Sequence, residues 1–188
     1  MAQEIEVKFA VDNREVIVGR LVAAGGQQLY PETFEDNIVL DRRGELKTKG
    51  SLLRLRKFGR YVLATFKGPV SFDGTIRTRD EVQTGLESFE RGVALFDALG
   101  FKPVFRYQKF REVWRLRDAE VVLDRTPIGD YLEIEGPAET IRAVAGELGL
   151  AIDRGIRLSY ADLYRQHRRT RADLPENMVF DPQDFPTQ

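Results

Sequence analysis

The chain has 188 residues, no cysteine, one histidine, and 29 basic against 30 acidic side chains, for a net charge of -1. That length suits one domain with a sizeable core. The missing cysteines exclude disulfides, thiolate metal sites and cysteine nucleophiles, and the balanced charge argues against a nucleic-acid coat or a polybasic membrane binder.

The first predicted element is a strand, EIEVKF, in which Glu4, Glu6 and Lys8 alternate with Ile5, Val7 and Phe9. Charge and apolar groups therefore fall on opposite faces. Asp12 or Asn13 then caps a helix carrying Val16, Ile17, Leu21 and Val22, stopped at Gly25-Gly26. NIVLD (37–41) reads as a strand, and SLLRLRKF, YVLATFKG and TIRTRDEVQT as three more, each bounded by Gly, Pro or Asp. Ser88 caps a second helix closed by Gly100. KPVFRYQKF running into REVWRL, then AEVVLD, then YLEIEG are strands. A third helix starts after Pro137 and ends at Gly149, and a short fourth, SYADLYRQHRR, starts near Ser159. GRLVAAGG, ALFDALGF and AVAGELGL share a helix end with glycine at a matching place, a hint of weak internal duplication. The tail from Arg171 has three prolines and no period, so an irregular surface extension (169–188) is expected after a domain spanning 1–168. No apolar run is long enough to span a bilayer, and charge begins at Glu4, ahead of any signal segment; a cytoplasmic protein without a membrane partner is expected.

The strands sort their charges by sign. Arg54 and Arg56 share one face; Lys67 lies with Thr65 and Leu63; Arg77, Arg79, Glu81 and Gln83 align. Tyr107, Lys109 and Arg111 fall together, as do Glu120, Val122 and Asp124, and Tyr131, Glu133 and Glu135. Two arginines two apart repel unless an anion lies between them. Paired carboxylates (Glu4 with Glu6, Glu133 with Glu135) have the opposite need, which a hard divalent cation, Mg²⁺ or Mn²⁺ rather than zinc, would meet. Arginine offers phosphate a planar fork and lysine a point charge. Such faces could simply be solvated for solubility. If the sheet curls closed, they would instead face a shared interior. Trp114 is expected in the core, and His167 as a solvated helix residue within a basic helix end.

EIEVKF fits the ExExK signature of CYTH-domain proteins, also called triphosphate tunnel metalloenzymes. LLRLRK, TFKGP, the Arg79–Glu81 step, FRYQKFR, VVLD-x-TPIGDYLEIEG and LSYADLY follow in that family's order, over about residues 3 to 165. The chain is identified as a member on this ordered set. The resemblance implies an α+β fold: a closed antiparallel eight-stranded β-barrel, the triphosphate tunnel, with helices packed outside. It also implies that Glu4, Glu6, Asp124, Glu133 and Glu135 are metal ligands. Lys8, Arg54, Arg56, Lys67, Arg79, Lys109 and Arg111 would bind triphosphate, and Glu4, Glu6, Lys8 and Glu81 would carry the catalysis. Two positions depart from the family pattern: Leu158 where a lysine is common, and Gln83 where an acid is common.

The leading expectation is a metal-dependent hydrolase of inorganic tripolyphosphate or an organic triphosphate, working as a monomer or homodimer. The alternative is a class IV adenylate cyclase, for which Phe34, Tyr107 and Tyr131 are the candidate adenine platform. A third class is a non-catalytic polyphosphate or nucleotide binder. Single-stranded nucleic-acid binding would want interleaved aromatics and net positive charge.

Overall fold

The computed structural model describes residues 2–171 and 173–185. The strands are β1 (Ala2–Val11), β2 (Gln27–Asp41), β3 (Leu52–Phe58), β4 (Tyr61–Lys67), β5 (Ser71–Asp73), β6 (Ile76–Leu86), β7 (Lys102–Leu116), β8 (Ala119–Thr126) and β9 (Gly129–Glu135). The helices are α1 (Arg14–Ala23), α2 (Glu45–Thr48), α3 (Phe89–Ala98), α4 (Ala138–Glu147) and α5 (Tyr160–Thr170). Strand order is β1-β9-β8-β7-β2-β3-β4-β6, and β6 pairs back onto β1, so eight antiparallel strands close a barrel; β5 hangs on β6 outside the ring.

Alternation decides what lies inside. Val7 and Phe9 of β1, Val121 and Leu123 of β8, and Leu132 and Ile134 of β9 point outward and are buried beneath α1 and α4. On the other side, Leu40, Leu53, Leu55 and Ala64 lie under α3 and α2. Each strand's second face is left to the lumen, and that is the charged one. Trp114 is buried in the outer core, its Nε1 donating to Glu112 at 2.8 Å.

The three repeated helix ends have one physical cause. Gly25, Gly100 and Gly149 take left-handed φ of 80°, 84° and 67°. In each case the following residue donates back five positions (Gly26 to Leu21, Phe101 to Phe96, Leu150 to Ala145, 2.8–2.9 Å). They are Schellman stops.

Three segments differ from the sequence expectation. Strand β2 begins at Gln27 rather than 37; Pro31 and register shifts near Gln28, Tyr30 and Thr33 hide the alternation there. The short α2 and β5 carry too few residues to show a period. The tail is not a loose extension. Met178 forms a parallel bridge with Tyr107 on the edge of β7 that β8 leaves uncovered, and it is fully buried. Among the described residues, no helix is long and apolar enough to cross a membrane.

Candidate active site

The lumen opens into a cavity of about 1340 Å³, larger than the roughly 300–1,000 Å³ of an ordinary small-molecule site. Glu4, Glu6, Lys8, Arg54, Arg56, Lys67, Arg79, Glu81, Lys109, Arg111, Glu133 and Glu135 all line it. Asp124 does not: it is fully buried in the wall behind them.

The register explains who meets whom. Across β1–β6, Glu4 faces Arg79 and Glu6 faces Arg77. Glu4 is bridged by Lys67 and by Arg79 (2.9 Å), and Arg77 reaches Glu6 at 3.2 Å. Glu81 holds the other side of Lys67 at 2.8 Å. Burial alone would raise the Glu4 carboxyl, but Lys67 and Arg79 outweigh it and hold it down at about 2.

On the opposite wall, Arg111 forks onto Asp124 (2.8 and 2.7 Å) and reaches Glu133 at 2.7 Å. Lys109 donates to Asp124 at 2.8 Å, and so does the Tyr160 hydroxyl, at 2.7 Å. Burial, then Asp124 and Glu133, push the Tyr160 phenol well above its ordinary value, so it remains a donor. Lys8 lies 3.4 Å from Glu133 and 4.0 Å from the Tyr160 ring centroid, and donates to the Leu158 carbonyl at 3.2 Å. Where the family pattern would place a lysine side chain, this chain uses the Leu158 backbone to hold Lys8.

Arg54 is different. It is buried, its Nη1 donates only to the Tyr107 hydroxyl (3.2 Å), and its Nε has no acceptor. Among the described residues, no carboxylate forms an ion pair with it. Neighbouring Arg56 has only Glu35 at 3.7 Å, and its Nε is likewise unpartnered. Burial, then the charge of Arg54, lower the Arg56 pKa. Gln83 accepts from Arg56 at 3.2 Å and from Thr65 at 3.0 Å, so its amide takes up the basic wall without adding charge.

Glu35 escaped the sequence reading. It is completely buried, 3.6 Å from both Lys109 and Arg111, with Asn37 donating to it at 3.0 Å. Burial would raise this carboxyl; Lys109, Arg111 and Arg56 keep it far below the usual range. The alternation of Glu35, Asn37 and Val39 was the available signal. Of the three candidate aromatic platforms, Phe34 lies outside the lumen against Phe110 and Phe185 (both 5.3 Å), whereas Tyr107 and Tyr131 pack on Tyr160.

One corner of the lumen carries uncompensated negative charge. Glu135 faces Glu6 across β1–β9 and Glu120 across β8–β9, and forms no ion pair. It is exposed at the end of β9, on the lumen. Partial desolvation there, then the charges of Glu4 and Glu6, push its carboxyl up to about 7. As the side chains stand, no group of three acids among the described residues is set closely enough to hold a metal ion. The donor set nonetheless fits a hard divalent cation: three carboxylates on neighbouring strands, one with no basic partner. Asp124 fits less well, because Arg111, Lys109 and Tyr160 already occupy its oxygens.

A closed antiparallel barrel with its charges turned inward and its helices outside defines a tunnel protein. The chain belongs to the CYTH domain family, whose sequence model matches residues 2–163. A protein of Methanocaldococcus jannaschii that carries the provisional name adenylate cyclase is 27% identical over 171 residues, covering 85% of this chain and 97% of the relative. A solved Vibrio parahaemolyticus structure, also provisionally an adenylate cyclase, superposes with a TM-score of 0.78 at 17% identity, covering 86% of this chain and 97% of that one. A Hippeastrum protein provisionally called an adenylyl cyclase, and described as having a dominant triphosphatase activity, gives 0.64 at 16% identity, covering 87% and 96%.

Proposed function

We propose that this protein is a metal-dependent triphosphatase that takes a triphosphate into its tunnel and hydrolyses it. The observation that supports this most is Arg54 with Arg56. Two adjacent guanidinium groups, one without any carboxylate partner and both with unused Nε donors, are costly to bury unless an anion meets them. Lys109 and Arg111 on β7 and Lys8 on β1 extend the basic path around the lumen.

Glu4, Glu6 and Glu135, with Glu133 beside them, would hold Mg²⁺ or Mn²⁺, and the ion when bound would offset phosphate charge as a Lewis acid. Arg54, Arg56, Lys109 and Arg111 bind non-bridging phosphate oxygens. Asp124 and Glu35 fix Lys109 and Arg111 from behind, so the donors are in place before charge develops. Water attacks the terminal phosphorus in line, and the bond to the bridging oxygen breaks. The shortened phosphate chain leaves with that oxygen and its electron pair, and the attacking water gives up its proton to solvent as orthophosphate forms. Phosphoryl transfer asks mainly for positioning and electrostatics, which this wall supplies.

A second reading is adenylate cyclase, favoured by the name of the M. jannaschii relative. There the ribose 3′-hydroxyl attacks the α-phosphorus of ATP and pyrophosphate leaves. Phosphorus NMR with Mg²⁺ on tripolyphosphate and on ATP separates the two. Orthophosphate from tripolyphosphate supports the hydrolase. Pyrophosphate from ATP together with cyclic AMP overturns it in favour of the cyclase. Binding of both without turnover, in Mg²⁺ and in Mn²⁺, leaves a polyphosphate-binding protein.

A further inference from the structure

We infer that residues 174–180, which lie beyond the CYTH-matched segment, are a strap that seats Tyr160 in the tunnel wall and through it positions Lys8, Lys109 and Asp124. The inference rests on the triphosphate reading only for its substrate.

The strap is fastened at both ends. At one end the Tyr164 hydroxyl donates to the Pro175 carbonyl (2.8 Å) and Arg168 Nε to the Leu174 carbonyl (3.2 Å), tying it to α5. At the other, Met178 N donates to Arg106 O (3.0 Å), Gln108 N to Met178 O (2.8 Å), and Arg106 N to the Asn177 side chain (2.8 Å), tying it to β7. Phe180 N adds a bond to the Gln108 side chain at 3.2 Å, and its ring lies 5.2 Å from Phe110. Between these anchors the fully buried Met178 packs in one cluster with Tyr107, Tyr131, Tyr160 and Tyr164.

That cluster borders the site. Tyr160 donates to Asp124, and its ring carries Lys8 at 4.0 Å and Lys109 at 4.9 Å. Tyr107 accepts from Arg54. Met178 therefore bridges to Tyr107 along the backbone and shares one buried cluster with both tyrosines that hold these four charged groups. Methionine fills such a gap without a polar demand of its own. Among the described residues of the tail two are buried: Phe180 packs on Phe110 outside the lumen, whereas Met178 joins the cluster that holds Tyr107 and Tyr160.

The test uses the full-length protein with Met178→Ala, Met178→Leu and, as a core control remote from the cluster, Val144→Ala in α4. Two readouts are taken well below the melting temperature: hydrogen exchange of the Asp162–Tyr164 amides, and tripolyphosphate affinity by calorimetry. We expect M178A to speed exchange at the start of α5 and weaken binding by roughly 2- to 30-fold, M178L to recover both, and V144A to move neither. Exchange and affinity in M178A that match V144A at equal loss of melting temperature overturn the strap. If the wild type binds no tripolyphosphate, the triphosphate reading has failed, and exchange at α5 alone still decides the strap: unchanged exchange in M178A overturns it.

Discussion

Arg54 donates to the hydroxyl of Tyr107 at 3.2 Å, and among the described residues no carboxylate forms an ion pair with this buried cation. A ligand that brings negative charge to this point gains a hydrogen bond to a guanidinium that no carboxylate pairs directly. Replacing Arg54 by Ala is expected to weaken tripolyphosphate binding by roughly 10- to 100-fold, the value of a charge-assisted contact of about 1.5–3 kcal/mol. Its melting temperature should hold or rise, because a buried charge with no ion pair is removed. Calorimetry and a thermal melt of the same sample check both halves.

Glu4 behaves in the opposite sense. It pairs with both Lys67 and Arg79, so Glu4→Gln leaves Arg79 without its carboxylate and Lys67 with Glu81 alone. We expect turnover to be lost and stability to fall by about 3–5 kcal/mol in the absence of ligand. Saturating tripolyphosphate should return more stability to E4Q than to the wild type, since the anion replaces the missing charge. Equal ligand-induced shifts in the two proteins would contradict this.

Glu135 sets the pH dependence of the acid corner. Its pKa of about 7 in the folded protein lies above the ordinary 4.5, so folding takes up a proton between these values. The metal-free protein should therefore lose stability as pH rises from about 4.5 through 7. A cation needs the carboxylate, so Mg²⁺ affinity should weaken below pH 7, with proton uptake or release measurable in weak buffer. At pH 6 Mg²⁺ should expel protons from the wild type and fewer from Glu135→Gln.

Glu35 is the strictest structural test. It is a shared counter-charge for Lys109, Arg111 and Arg56, and no solvent reaches it. Glu35→Gln is expected to cost about 3–5 kcal/mol in urea denaturation, since the basic groups it serves lose a buried partner. Activity measured on the protein that remains folded should fall as well, because Lys109 and Arg111 keep only Asp124 and Glu133 to orient them.

Much of this arrangement was legible in strict alternation. Glu4, Glu6 and Lys8 in EIEVKF, and Arg54 with Arg56 in LLRLR, line the cavity because period 2 and an apolar opposite face leave them nowhere else to go. Glu35 was harder to read: it alternates with Asn37 and Val39, but Pro31 and the register shifts before Thr33 hide the strand to which they belong. The pairing of Asp124 with Arg111 depends on the β7–β8 register, which no local pattern specifies. Met178 is the clearest omission. Its burial comes from an edge of β7 about seventy residues earlier in the chain, and a proline-rich tail gives no sign of it.

The barrel is a hoop with its rivet at the first stave. Strand β1 is made first, yet both its neighbours arrive late: β6 begins at Ile76 and β9 at Gly129. Contacts this distant in sequence are slow to form. Strand β1 therefore gains its β6 partner in the first half of the chain and its β9 partner only in the second. Glu4 and Glu6 meet Arg79 and Arg77 across the first of these seams, and Glu6 meets Glu135 only across the other, so the acid corner is complete only when the hoop is closed.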